Sequence, residues 1–256
     1  MSQKVIYEQP LNERIRAFLR LEFLFQQVRH HLVGTSPWDS RATLASLLDI
    51  MSIFGRSDLK TEVMKELERH TTTLARLEQS PDVDRTQLTE LLDEMDRLID
   101  QLHAHNGPVG AHLKSNEFLS AIQQRSSIPG GLCDFDLPAF HFWLERPAQE
   151  RLRDLTAWLD TFDAIGRGIQ LIMRLTRGSN LFREQVAAKG FFQRTLDPNI
   201  PCQMVRVAVP TGSPYYAEIS GGRHRFSVRF MRQASTSERA TQTPEDVPFE
   251  LSCCVI

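Results

Sequence analysis

The feature that most limits how this chain can fold is a change of hydrophobic period partway along it. In the first two thirds, apolar side chains recur every three or four residues, the spacing of helices that bury one face. Between residues 12 and 32, Ile15, Phe18, Leu19, Phe23 and Leu24 keep that spacing, and Leu21 and Phe25 widen the apolar surface. Asn12 is placed to cap this helix by accepting from its first free amides. Further helices are expected near 41–54, 58–79 and 84–104, from Asn116 through Gln124, across Leu137–Leu144 with Asp136 as cap, from Pro147, and near 164–177. From Phe191 the period becomes two: Val205, Val207 and Val209 alternate with Met204, Arg206 and Ala208, and Phe226, Val228 and Phe230 with Arg225, Arg229 and Met231. Gly221-Gly222 reads as a hairpin turn between Tyr215–Ser220 and Arg223–Arg232. Val5-Ile6-Tyr7 would bring the N-terminus back to this sheet, and 233–246 reads as a loop. The predicted fold is α+β: a helical bundle domain over 10–186, then a small antiparallel β domain over 187–256, joined by strand 3–8.

With 256 residues, 41% of them hydrophobic, the chain can bury a core without disulfides or metals. It holds no apolar run near the roughly 20 residues a membrane helix needs, and Met1–Glu8 lacks the pattern of a signal peptide. A cytoplasmic location is the expectation. The formal net charge of −2 argues against a surface that grips nucleic acid throughout. That average is uneven. Residues 10–110 carry 12 basic and 16 acidic side chains, whereas 206–232 holds Arg206, Arg223, Arg225, Arg229 and Arg232 against Glu218 alone. Such a cluster is a candidate anion-binding surface or the solvated face of a sheet. A nucleic-acid-binding module using this Arg206–Arg232 sheet is the rival from another class, and it requires Phe226 and Phe230 to face outward for stacking.

Chemistry-bearing motifs are scarce. Phosphate-cradling glycine loops, a nucleophile elbow and a metal-binding H-E-x-x-H are all missing. His103, His105 and His112 surround Asn106-Gly107-Pro108, a polar loop rather than a metal site. Cys133 and His141 lack the third group that orients a thiol–imidazole pair. The final Cys253-Cys254-Val255-Ile256 matches a prenylation box, but Phe249, Leu251 and Cys253 alternate with Glu250, Ser252 and Cys254 as in a strand. No catalytic residue, cofactor or metal is expected, and the chain reads as a binding protein rather than an enzyme. Arginine forks suit carboxylates, so an acidic and apolar peptide is a fitting ligand.

Several segments together resemble the ZapD family of FtsZ-interacting bacterial cell division proteins. They are Tyr7-Glu8-Gln9-Pro10-Leu11-Asn12-Glu13 with Leu19–Leu24, then Ser127-Ile128-Pro129-Gly130-Gly131 running into Cys133, Phe135–Pro138, His141, Trp143 and Leu144. Ile219-Ser220-Gly221, Arg225-Phe226, Arg229–Met231, Phe249–Leu251 and Cys253-Cys254 complete the set. The resemblance implies a cytosolic, non-enzymatic homodimer that binds the C-terminal tail of FtsZ, bundles its protofilaments and is recruited to mid-cell, with no nucleic acid partner and no membrane insertion. Carried across, the tail-binding positions fall on Arg20, Arg56, His141 and Arg225, with Lys114, Arg223 and Arg229 as weaker candidates. A position that is basic in the family is Glu117 here, and Lys114 lies one helical turn before it.

Overall fold

The computed structural model describes residues 3–55, 58–77, 80–81 and 83–255. In chain order the elements are β1 (Lys4–Pro10), α1 (Glu13–Leu32), α2 (Pro37–Phe54), α3 (Leu59–Ala75), α4 (Arg85–Ala104), α5 (Ala111–Lys114), α6 (Glu117–Ser126), α7 (Pro138–Leu144), α8 (Ala148–Asp160) and α9 (Asp163–Gly178). Then follow β2 (Arg183–Ala187), β3 (Phe191–Thr195), β4 (Cys202–Pro210), β5 (Tyr215–Gly221), β6 (Arg225–Arg232), β7 (Thr241–Gln242) and β8 (Val247–Val255). Contacts gather them into two compact units, one of Phe18–Ile172 and one of the chain before Phe18 together with Met173 onward.

Helix starts follow local chemistry. Asn12 Oδ1 accepts from the Ile15 amide at 2.9 Å, and Asp58, Asp84 and Asn116 cap α3, α4 and α6 in the same manner. Helix α2 begins earlier than the apolar spacing suggests. Ser36 and Asp39 form a reciprocal capping box, and Pro37 supplies a first residue that needs no amide partner. Asp136 does not cap α7. Its carboxylate instead accepts from Arg125 Nη1 at 3.2 Å and from Cys133 Sγ at 3.3 Å, while Pro138 opens the helix with one orphan amide fewer.

The helical unit buries Phe18, Leu21 and Val28 of α1 with Leu44, Leu47 and Ile50 of α2, Val63 and Leu67 of α3, and Ile165 and Ile169 of α9. An aromatic group of Phe118, Phe140, Trp143 and Trp158 has ring centroids 5.7–6.2 Å apart. Trp143 Nε1 finds its acceptor in Asp154 Oδ2 at 2.9 Å. Arg151 is buried and its guanidinium donates to Ser40 Oγ, Leu144 O, Arg146 O and Thr35 O, joining the starts of α2 and α8 to the end of α7. Gly110, at φ +76°, lies where any Cβ would sit 2.8 Å from the Phe162 ring.

The β unit is a sandwich of two antiparallel sheets, ordered β1-β4-β8-β2 and β3-β6-β5, with the short β7 added to β6. Val205, Val207, Val209, Phe249 and Leu251 of the first sheet pack with Phe226, Val228 and Phe230 of the second. Phe230 and Phe249 meet at 5.1 Å between ring centroids. The first sheet is covered on its other side too, so Met204, Ala208, Ser252 and Cys254 are also buried. Asn180, just past α9, donates to Cys253 O at 3.1 Å and accepts from Ser252 Oγ at 3.0 Å. The C-terminal cysteines are therefore strand residues, as their alternation predicts. Strand 3–8 is observed as β1, paired with β4 from Lys4↔Pro210 to Pro10↔Met204. Within 233–246, predicted as loop throughout, β7 pairs with Met231 and Arg232.

Candidate peptide-binding surfaces

Strand β6 sets the orientation of the arginine cluster. Phe226 and Phe230 are 1% and 0% exposed, so alternation turns Arg225, Ser227 and Arg229 outward. This burial removes the stacking platform that the nucleic-acid alternative requires. Arg225 stands opposite Thr195, and Arg229 lies between Phe191 on β3 and Glu218 on β5. At the hairpin the Gly222 amide donates to Arg225 O at 3.0 Å. A Cβ at Gly221 would come within 2.8 Å of Leu11 and of Phe226, so the turn passes where only glycine fits. Arg223, His224 and Arg225 line a cavity of about 460 Å³ with Gln193 and Ser220. Among the described residues, no hydrogen bond or ion pair engages the side chains of Arg223, Arg225 or Arg229. Arg225 and Arg229 thus share the outer face of β6, and Arg223 lies beside Arg225 at the hairpin end.

Arg206 does not belong to that surface. It lies on the first sheet, where its Nε donates to Glu8 Oε1 at 2.9 Å and its guanidinium sits 5.0 Å from the Phe182 ring centroid. Arg177 grips the same Glu8 through both carboxylate oxygens at 2.9 Å. Burial acts to raise the Glu8 pKa, but hydrogen bonds and charge from Arg177 and Arg206 outweigh it and hold the carboxyl below its ordinary value. The cluster of five arginines in sequence is therefore split by the structure into one neutralised side chain and an open set.

In the helical unit, Arg20 is exposed on α1 and His141 on α7. Arg56 lies outside the described residues. Lys114, at the end of α5, lines a groove of about 710 Å³ with Lys60, Phe54, Met64 and Pro108. Lys60 Nζ is turned to His105 O at 2.6 Å. Glu117 is the exposed first residue of α6, where a carboxylate favours the positive end of the helix dipole.

A second groove, of about 620 Å³, was not anticipated. Trp38 and Arg41 of α2 face Ser126–Cys133 across it. Arg41 reaches between two rings, 5.4 Å from the Trp38 centroid and 4.8 Å from Phe140, and donates to Leu132 O at 3.2 Å. Trp38 is 76% exposed and Ile128 is open as well, so the groove offers apolar area held by a fixed cation. Its signal was present in Ser36-Pro37-Trp38-Asp39: a helix starting at Pro37 puts Trp38 and Arg41 one turn apart on one face.

Comparison with known proteins gives these surfaces a context. Residues 19–229 match the family model described as ZapD, cell division protein. The chain belongs to the ZapD family of cell division proteins. It is 44% identical over 256 residues, the whole of both chains, to the cell division protein ZapD of Methylococcus capsulatus. To the ZapD of Coxiella burnetii it is 36% identical over 253 residues, 98% of each chain. The figure for the ZapD of Aromatoleum aromaticum is 37% over 254 residues, 99% of this chain and 98% of that one. ZapD is a non-enzymatic cell division protein family, consistent with surfaces built from arginine forks and apolar grooves. No helix among the described residues of this ZapD-family chain is long and apolar enough to cross a membrane. Its expected tail-binding positions divide between units: Arg20 and His141 lie in the helical unit, and Arg225, Arg223 and Arg229 in the β unit.

Proposed function

We propose that this protein binds the C-terminal tail of FtsZ and, as a homodimer, cross-links FtsZ protofilaments into bundles that promote assembly of the septal ring. It acts in the cytoplasm and reaches mid-cell through FtsZ. The observation that carries this reading is the set of open guanidiniums on the outer face of β6, aligned by a core that fixes their backbone. Acidic residues of the tail pair with Arg225 and with Arg20, while Arg223, Arg229 and Lys114 add long-range attraction. His141 and Arg56 complete the tail-binding set implied by family resemblance. Apolar tail residues need a pocket, and the Trp38–Ile128 groove supplies one of the right chemistry. Two tail sites in a two-fold dimer engage neighbouring filaments, so weak single contacts add by avidity.

The test is pelleting with polymerised FtsZ, with and without its tail. Wild-type protein should co-sediment only with tailed filaments. The pair Arg20→Glu and Arg225→Glu should abolish co-sedimentation while the circular dichroism spectrum stays native. Unchanged bundling by that double variant would overturn the assignment of these two residues, and tail-independent pelleting would overturn the mechanism.

A further inference from the structure

The groove between Trp38 and the 126–133 loop holds an arginine whose donors are only partly used by the fold. Arg41 Nη1 donates to Leu132 O, and its guanidinium lies between the Trp38 and Phe140 rings. These contacts fix the plane of the fork and tie α2 to the loop. Among the described residues, none accepts from Arg41 Nε or Nη2, so this half-buried cation keeps two donors without a protein acceptor. Nearby carboxylates are already engaged, Asp39 by the Ser36 amide and hydroxyl and Asp136 by Arg125 and Cys133. No acidic side chain is among the described residues that line the groove. Its loop wall is held by its own backbone, with the Gly131 amide on Ile128 O at 2.9 Å and the Cys133 amide on Gly130 O at 3.1 Å. Trp38 and Ile128 flank the fork with open apolar surface, although packing alone would favour burying both. A fixed cation bordered by apolar walls is the complement of a carboxylate beside an apolar side chain.

We propose that Arg41 and Trp38 are specificity-determining residues that read one short element of an acidic peptide. A carboxylate is held by Arg41 Nε and Nη2, and a neighbouring apolar side chain lies on Trp38 and Ile128. The inference rests on the tail-binding reading above and deepens it, because it assigns the choice of tail sequence to this groove. The open arginines of β6 stand in water, where a charge attracts any acidic segment and discriminates little between them. Arg41 is different. Its fork is shielded by a ring on either side and cannot turn to follow a displaced partner. A peptide that covers the groove with an amide or a methyl in place of the carboxylate leaves that cation desolvated and unpaired. A peptide lacking the apolar neighbour leaves Trp38 and Ile128 in water.

Binding of a fluorescently labelled FtsZ tail peptide to the full chain is followed by anisotropy. Companion peptides carry an amide in place of each Asp or Glu in turn, or Ala in place of each apolar residue. Arg41→Gln and Trp38→Ala should each weaken binding of the parent peptide about tenfold. One amide-substituted peptide should bind wild type as weakly, and Arg41→Gln should weaken it no further, since both changes remove the same bond. The loss from Trp38→Ala should vanish in the same way for one Ala-substituted peptide altered beside that acid. Trp38 is exposed, so its truncation opens no core cavity and keeps the proposal testable if Arg41→Gln fails to fold. An Arg41→Gln loss of equal size on every peptide would mean that Arg41 only holds the loop, and would overturn the proposal. Wild-type binding that neither variant weakens would overturn this proposal alone. Failure of the wild-type chain to bind the parent peptide would overturn the tail-binding reading and this inference with it.

Discussion

Glu8 illustrates how a single residue couples the ends of the β unit. It sits on β1, yet both its charge partners come from far along the chain, and Arg206 is 198 positions away. Its carboxyl is held below the ordinary value of 4.5, so the sign of its contribution is fixed. Stability from this cluster is fully present above the unfolded-state pKa and is lost as pH falls through the lower, folded-state value. Glu8→Gln should cost about 2 kcal/mol at neutral pH, since it leaves two half-buried guanidiniums with a weaker acceptor. Denaturant unfolding at stepped pH checks this. The gap between wild type and variant should close as the solution is acidified below about pH 4.5, the unfolded-state value. A gap that stays constant to the lowest pH would show that the charge is not what matters. Nothing local to Glu8 announces its partners. Arg206 therefore read as part of an open cluster until the two chain segments were seen together.

At the scale of elements, the helices whose apolar period runs unbroken were legible, and so was β6 with its strict alternation. The short edge elements were not. Strand β2 reads Arg183-Glu184-Gln185-Val186-Ala187, and only Ala187 is buried, so it has no apolar rhythm to detect. Its place is set by pairing with β8 rather than by its own composition. The start of α2 is the opposite case, a signal present but outweighed by the loop character of Gly34-Thr35-Ser36-Pro37. The Ser36 hydroxyl accepts from the Asp39 amide at 3.1 Å, and the Asp39 carboxylate accepts from the Ser36 amide at 3.1 Å. Ser36→Ala should cost about 1 kcal/mol. A thermal melt should register that as a drop of roughly 2–4 °C. Because the cap places Trp38 and Arg41, the same variant should loosen the Trp38–Arg41–Phe140 stack, which Trp38 fluorescence would report. An unchanged melting temperature would mean that Pro37 alone fixes the helix start.

On the scale of the whole molecule, the proposed bundling depends on two tail sites per dimer rather than on any one strong contact. That makes it sensitive to competition in a way that a single tight interface is not. Excess free FtsZ tail peptide should disperse preformed bundles, seen as a fall in light scattering, while the filaments themselves persist. Added salt should act in the same direction, because the open arginines are screened and the partly buried Glu8 cluster less so. Bundles that survive saturating peptide would point to contacts with the body of FtsZ instead of its tail.

The sequence by itself determined the long helices, the longer strands, their order and which face of β6 is apolar. Each of these rests on a period of two or 3.6 residues, which a local window contains. The tertiary structure decided which arginines are open, that Trp38 and Arg41 line a groove with Ser126–Cys133, and that a bulge sets Cys202 rather than Gln203 opposite Val255. Those facts are pairings between distant segments. The free energy of a charge or a thiol depends on what the fold places beside it, and no local period encodes that neighbour.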